Sequence, residues 1–148
     1  MANQNPQPEI YTTRHSFAAA AANGTAITQT VYTNQANNEE VRIYGIMADV
    51  ALTTTGATTA RDSECDWDIQ IQIGNANIPS KAFDLGVITQ KDDRTLTFPS
   101  PILVLFNQPV SVTVTFKGGD AANSDSVITT VRVSLISELS LQNPRGCE

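Results

Sequence analysis

The feature that most constrains the fold of this chain is a strict alternation of apolar and polar residues in short runs. In VSVTVTF, residues 110–116, valine or phenylalanine fills every even position and serine or threonine every odd one. In CDWDIQIQI, residues 65–73, Cys65, Trp67 and three isoleucines alternate with aspartate and glutamine. Successive side chains of a β-strand point to opposite faces, so each run predicts a strand with one buried face and one wet face. We expect Trp67 to lie in the core.

The remaining runs complete the pattern of an all-β protein. VRIYGIMADVAL (41–52) and ILVLF (102–106) are apolar on both rows, which predicts central or buried strands. GNANIPSK (74–81) is interpreted as turn material around one short strand, and FDLGVIT (83–89) as a short strand or an irregular bend. Other strands are predicted at 26–33, 95–98 and 127–137.

About eight short strands, with turns between them and no long amphipathic helix, predict a single jelly-roll-like antiparallel β-sandwich with extended N- and C-terminal arms. A length of 148 residues fits one domain. Both ends are polar and contain prolines, so we place an N-terminal arm at 1–25, the β-sandwich domain at 26–138 and a C-terminal tail at 139–148. An immunoglobulin-like sandwich is the alternative, but Trp67 lacks the flanking cysteine pair of that fold.

Charge and cysteine content exclude several classes of function. The net charge is −6, and the nine Lys and Arg residues are scattered singly, so we expect neither direct nucleic-acid binding nor attachment to an anionic membrane. No segment is apolar over the length that a membrane span requires. Cys65 and Cys147 do not form a disulfide framework, which is typical of a reducing compartment.

An acidic row precedes and enters the predicted strand at 65–73. Glu64, Asp66 and Asp68 fall on one face, at a spacing from which carboxylates can share a cation. A calcium site, however, usually takes about six to eight oxygen ligands in a concave cage. The wet face of an amphipathic strand accounts for the row and for its continuation into glutamine. We therefore predict no metal site and keep these three residues, with the loop residues Asp120 and Asp125, as calcium candidates.

The sequence predicts no catalytic and no cofactor-binding residue. His15 is the only histidine and falls in the predicted N-terminal arm, where we expect it to be exposed. A catalytic triad needs a histidine that a third group orients, and a zinc site needs three or four nitrogen or sulfur ligands. The short motifs of hydrolases, metalloproteases and nucleotide-binding loops are absent. Tyr11, Tyr32 and Tyr44 would form a sugar-stacking platform only if their rings converged, so we expect core or interface packing.

Three features favour self-association. We expect the polar arms to be tied down by neighbouring subunits, because chain ends are seldom ordered alone. The two runs that are apolar on both rows need either a second sheet or another chain to cover them. The surface is rich in Thr, Asn, Gln and Ser and poor in Lys and Glu, and long charged side chains are depleted at interfaces.

Over residues 26–137, this alternation and the stretch LTFPSPILVLFNQPVSVTVTF resemble bacteriophage virion proteins with the jelly-roll fold. The resemblance implies a capsid-building subunit or a decoration (cement) protein, without catalytic residues or cofactors. It implies that the chain forms homo-oligomers, packs on other virion structural proteins, and resides in a virion assembled in the host cytoplasm. The alternative is a carbohydrate- or receptor-binding module, similar to a lectin or a head fibre. Its binding face, calcium-dependent in one version, would lie in the loops 53–63 and 117–126.

Overall fold

The computed structural model of the chain describes residues 7–17, 24–33, 39–54, 67–89, 91–105, 107–117 and 127–141. Within these ranges the chain forms eight β-strands and one short helix, and the predicted all-β fold is confirmed. The strands are β1 (Gln7–Phe17), β2 (Ala26–Thr33), β3 (Glu39–Thr54), β4 (Trp67–Ile73), β5 (Ala76–Asp84), β6 (Thr95–Val104), β7 (Pro109–Phe116) and β8 (Val127–Leu141), and the helix is α1 (Gly86–Thr89).

The strands form two four-stranded antiparallel sheets that pack face to face. Sheet A has the order β1-β8-β3-β6, and sheet B has the order β2-β7-β4-β5. The first strand pairs with the last, the second with the seventh, the third with the sixth and the fourth with the fifth. This is the pairing of a long antiparallel ribbon rolled into two sheets, which is the arrangement of a jelly roll.

The core is built from the inward-facing rows of both sheets, as the alternation predicts. In β7 the four even-numbered residues 110–116 are at most 1% exposed, while the hydroxyl residues between them are half-buried. Trp67 is 4% exposed and contacts the rings of Phe17 and Phe116, with centroids 4.6 Å and 4.9 Å away. The prediction that Trp67 lies in the core is therefore confirmed.

The run at 41–52 belongs to β3, a central strand between β8 and β6, as its apolar pattern predicts. Its pairing with both neighbours shifts between Ile43 and Gly45. A Cβ atom at Gly45 would lie 2.9 Å from the carbonyl oxygen of Leu96, so glycine lets β6 approach β3 closely here.

The two strands predicted at 95–98 and 102–106 are one strand, β6, at the edge of sheet A. The register with β3 shifts within β6: Thr97 is paired with Gly45 and Ile102 with Ile43, so residues 98–101, which include Pro99 and Pro101, bulge out of the pairing. Proline has no N–H to donate, and an edge strand tolerates it because one side of the strand needs no partner.

The predicted boundaries of the arms are wrong in two places. The sequence predicts an N-terminal arm at 1–25, but residues 7–17 form β1, which pairs with β8 from Gln7–Leu139 to Phe17–Thr129. The predicted tail begins at residue 139, but β8 continues to Leu141, and Leu139 packs against the core. The sequence pattern does not predict β1, because its inward row contains Thr13 and His15 and these polar residues weaken the apolar alternation.

Two short segments between the strands also differ from the prediction. Gly74, with φ of +59°, and Asn75 form a tight turn between β4 and β5, so the stretch 74–81 is mostly strand. After β5 the chain forms α1, which begins where the Gly86 N–H donates to Asp84 Oδ1 at 2.7 Å. Leu85 and Ile88 are fully buried, so this segment closes part of the core against β3 and β6.

Candidate functional site on the outer faces of the sandwich

The outer face of sheet B is covered by hydroxyl and amide side chains that lie in register across the strands. The Oγ1 atoms of Thr28 and Thr113 are 2.7 Å apart, which joins β2 to β7 on this surface. We call this surface the neutral face; its residues are Thr28, Thr113 and Gln70 in one row and Thr30, Ser111, Gln72 and Asn77 in the next. None of the seven side chains carries a charge.

Charged side chains lie in the neighbouring row at one end of the neutral face. There Asp68 of β4 is paired across the sheet with Asp84 of β5. Asp68 Oδ2 lies 3.7 Å from Lys117 Nζ, and Asp84 accepts the hydrogen bond that begins α1. The charges are thus engaged locally and do not extend into the two rows.

The calcium candidates are mostly outside the described residues. Glu64, Asp66, Asp120 and Asp125 lie there, as does most of the loop face proposed for a lectin-like module. Asp68 is half-buried on the outer row of β4, as the alternation predicts. Within the described ranges, no group of three or more His, Cys, Asp or Glu side chains could hold a metal ion.

His15 is buried, which contradicts the prediction of an exposed arm residue. It is 0% exposed, and its Nε2 lies 3.0 Å from the carbonyl oxygen of Val112 in β7. Because a carbonyl oxygen only accepts, Nε2 is assigned the proton, and the bond links sheet A to sheet B. Among the described residues, His15 Nδ1 and the neighbouring Thr13 Oγ1 have no hydrogen-bond partner. His15 therefore has a structural place between the sheets.

The tyrosines divide between two places and do not make one platform. Tyr11 and Tyr32 face each other from β1 and β2, with ring centroids 4.8 Å apart. Burial, together with the charges of Tyr32, Glu9 and Glu39, raises the pKa of Tyr11 to about 12. Burial also raises the pKa of Tyr32. Tyr44 instead donates its hydroxyl proton to Glu138 Oε1 at 2.8 Å, and this bond raises the pKa of Tyr44.

A pocket of about 390 Å³ opens on the outer face of sheet A. Its walls are side chains of β1, β3 and β8 and the turn at 91–94 that precedes β6. We call it the arginine pocket, because Arg14, Arg94 and Arg132 all line it. The turn is held over β3 by a hydrogen bond from the Ala48 N–H to the Arg94 carbonyl oxygen at 3.3 Å.

Two arginines of this pocket occupy directly paired positions on adjacent strands. Arg14 of β1 is in register with Arg132 of β8, and Arg132 is in register with Asp49 of β3. Arg132 binds Asp49 through two hydrogen bonds: Nε donates to Oδ1 at 2.8 Å, and Nη2 donates to Oδ2. These hydrogen bonds and the charge of Asp49 raise the pKa of Arg132. Arg14 makes no ion pair and no side-chain hydrogen bond with any described residue.

The arginine pocket is not predicted by the sequence. Its residues come from four segments that are far apart in sequence, and the strand order alone brings them together. The local signal was present, since Arg14, Asp49 and Arg132 each occupy a position between inward-facing neighbours. Without the strand order, however, nothing in the sequence relates one of these positions to another.

The comparisons with known proteins give no family. No protein-family model matches the chain, and no curated protein matches it. Among solved structures, one match is a chain from the structure of infectious bursal disease virus Gx strain, with 14% sequence identity and a TM-score of 0.28. The match covers 93% of this chain and 43% of that chain, so this chain spans less than half the length of the chain it matches. A TM-score this low transfers neither fold nor function.

In the part of the chain that the structure describes, no helix is long and apolar enough to cross a membrane.

Proposed function

We propose that this chain is a structural protein of a virion, of the bacteriophage kind, that acts as a capsid-building or capsid-decorating (cement) subunit. In this role it associates with copies of itself and packs on neighbouring virion proteins, and it carries out no catalysis and needs no cofactor. It would reside in a virion that assembles in the host cytoplasm. The observation that carries the proposal is the neutral face of sheet B.

The neutral face is suited to burial against another protein surface. A surface designed to remain in solvent carries roughly 25–35% charged residues, yet the seven paired positions of the neutral face hold none. Threonine, serine and asparagine lose less side-chain entropy on burial than lysine or glutamate. Hydroxyls and amides are both donors and acceptors, so two surfaces of this composition can satisfy each other without desolvating a charge.

Apolar side chains near the end of β6 add a second contact surface. Leu103 is 43% exposed and Leu105 is 53% exposed, and Val104 between them is fully buried. The two leucines therefore project on the same side of the chain. An exposed apolar pair at a sheet edge favours contact with another chain, because that contact removes its surface from water.

The mechanism of such a subunit is mechanical. The inward rows hold the sandwich together, while the neutral face and the β6 edge meet neighbours. Each contact is weak alone, and repetition around a closed assembly multiplies the effective affinity.

The test is the mass of the full chain in solution, measured by light scattering over a range of concentrations, with electron microscopy of the largest species. We expect an oligomer that the Thr113→Lys variant dissociates, because it places a charge in the middle of the neutral face. Ser16→Lys is the matched control, since Ser16 is an exposed residue of β1, at the edge of sheet A opposite β6, and its hydroxyl oxygen also lies close to that of a neighbouring strand, 3.1 Å from Thr130 Oγ1. Circular dichroism verifies that both variants fold.

Shells in the micrographs would favour a capsid-building subunit, and small closed oligomers would favour a decorating one. A wild-type chain that stays monomeric at every concentration would overturn the proposal. An oligomer that Thr113→Lys leaves intact would show that the subunits do not associate through the neutral face.

A further inference from the structure

We propose that the arginine pocket binds a sugar carboxylate, such as a hexuronate unit of an acidic polysaccharide, and that Arg14 is the residue that anchors it. The pocket lies on sheet A, and the neutral face lies on sheet B. Ligand binding at the arginine pocket therefore does not depend on self-association through the neutral face.

Arg14 carries a charge that no described side chain pairs with. Like charges directly opposite each other on neighbouring strands are destabilising, and Arg14 and Arg132 are such a pair. Asp49 neutralises Arg132 by a two-point contact on the side away from β1. An anion that sits on Arg14 would remove the remaining repulsion. The planar guanidinium fork matches a carboxylate in particular, because both can form two parallel hydrogen bonds.

A pair of hydroxyl groups lies beside Arg14 in the pocket. Thr12 and Ser134 are in register in the adjacent row of the same two strands, and their hydroxyl oxygens are 2.9 Å apart. One residue pair further along a sheet face is a step of roughly 7 Å. The pocket therefore presents an anion-binding group next to hydroxyls that retain free acceptor capacity. A sugar acid has the complementary arrangement, a carboxylate attached to a ring of hydroxyls.

The balance of charges in the pocket disfavours anions that carry more than one charge. Arg14, Arg94 and Arg132 are matched in number by Asp49, Asp92 and Asp93, all of which line the pocket. A dianion such as phosphate would be repelled by the aspartates of the turn, whereas a single carboxylate would not be repelled as strongly. The same aspartates can accept hydrogen bonds from sugar hydroxyls. The volume, about 390 Å³, falls within the range of roughly 300–1,000 Å³ for small-ligand pockets.

The test is a titration of the isotope-labelled full chain, followed by backbone NMR, with D-glucuronate, D-glucose and inorganic phosphate. Glucose has the same ring as glucuronate without the carboxylate. We expect glucuronate to shift the amide signals of residues 12–14 and 132–134, and we expect glucose to have little effect. Arg14→Gln should weaken glucuronate binding by on the order of tenfold or more, because a charge-assisted two-point contact is lost. Arg14→Lys should bind glucuronate with an affinity between those of the wild type and Arg14→Gln, because lysine keeps the positive charge but lacks the planar guanidinium.

Lys81→Gln is the matched control, since it removes one positive charge from an exposed residue of β5 on sheet B. It should leave glucuronate binding unchanged. Three results would overturn the proposal: no shifts in the pocket, equal shifts with glucose, or phosphate binding as tight as glucuronate binding. A fourth would be a loss of self-association in Arg14→Gln without any effect of glucuronate, which would make the pocket a contact between copies. The oligomeric state of Thr113→Lys, measured in parallel, reports on the neutral face alone.

Discussion

Replacement of Phe17 by alanine tests whether β1 is part of the sandwich. Phe17 is 2% exposed, and its ring centroid lies 4.6 Å from that of Trp67. Deletion of a buried phenylalanine side chain costs about 3–5 kcal/mol of unfolding free energy. An aromatic pair contributes about 0.5–1.5 kcal/mol beyond its buried area. We therefore expect a loss in the upper part of the first range, about 4–5 kcal/mol.

The assay is equilibrium unfolding in urea, followed by the fluorescence of the single tryptophan and by circular dichroism. With a slope of about 2 kcal/mol per molar urea, the midpoint should fall by about 2 M. Ile10→Ala is the matched control, because Ile10 lies on the same strand but is 64% exposed. It should change stability by about 0.5 kcal/mol or less. If Phe17→Ala costs no more than Ile10→Ala, then residues 7–17 do not pack in the core and our placement of β1 is refuted.

Three further predictions concern other parts of the sandwich. The raised pKa of Tyr11, about 12 against an ordinary 10.0, means that folding favours the neutral phenol; this stability is fully present below pH 10.0 and is lost as the pH rises toward 12. Because the pKa values of Tyr32 and Tyr44 are raised as well, the diagnostic in an ultraviolet titration of tyrosinate is a step near pH 12 that Tyr11→Phe removes, and a wild-type curve without that step would contradict the burial of Tyr11. Gly45→Ala should lower the unfolding free energy by about 1–3 kcal/mol, since the new Cβ would meet the Leu96 carbonyl oxygen at 2.9 Å; an unchanged urea midpoint would show that β6 is not held that close. Asp49→Asn should lower the unfolding free energy at low salt, but much less in an Arg14→Gln background, because the repulsion between Arg14 and Arg132 is then absent. A double-mutant cycle at low and high salt measures this coupling, and equal losses of unfolding free energy in both backgrounds would disprove it.

The sequence was most informative where one row of a strand is wholly apolar. In β7 and β4 the even or odd positions are all valine, isoleucine or aromatic, so the buried face could be predicted residue by residue. The central place of β3 followed from its two apolar rows. These features depend on local burial, which an alternating pattern reports directly.

Other features depended on contacts that a local pattern does not report. The inward row of β1 is Tyr11, Thr13, His15 and Phe17, and its two polar members made the strand resemble an arm. His15 is tolerated there because Val112, far away in sequence, provides a carbonyl acceptor. The arginine pocket required the knowledge that β8 lies between β1 and β3. Strand order arises from the whole chain, so no single segment could predict it.

The position of β8 has a consequence for synthesis of the protein on the ribosome. Among the described strands β1 emerges first, yet it pairs with β8, which emerges last of the eight. Sheet B can form as soon as β7 has emerged, because it contains only β2, β4, β5 and β7. Sheet A cannot close before the final strand enters between β1 and β3. The nascent chain therefore carries the backbone edge of β1 without its partner until β8 has emerged, so sheet A forms later than sheet B.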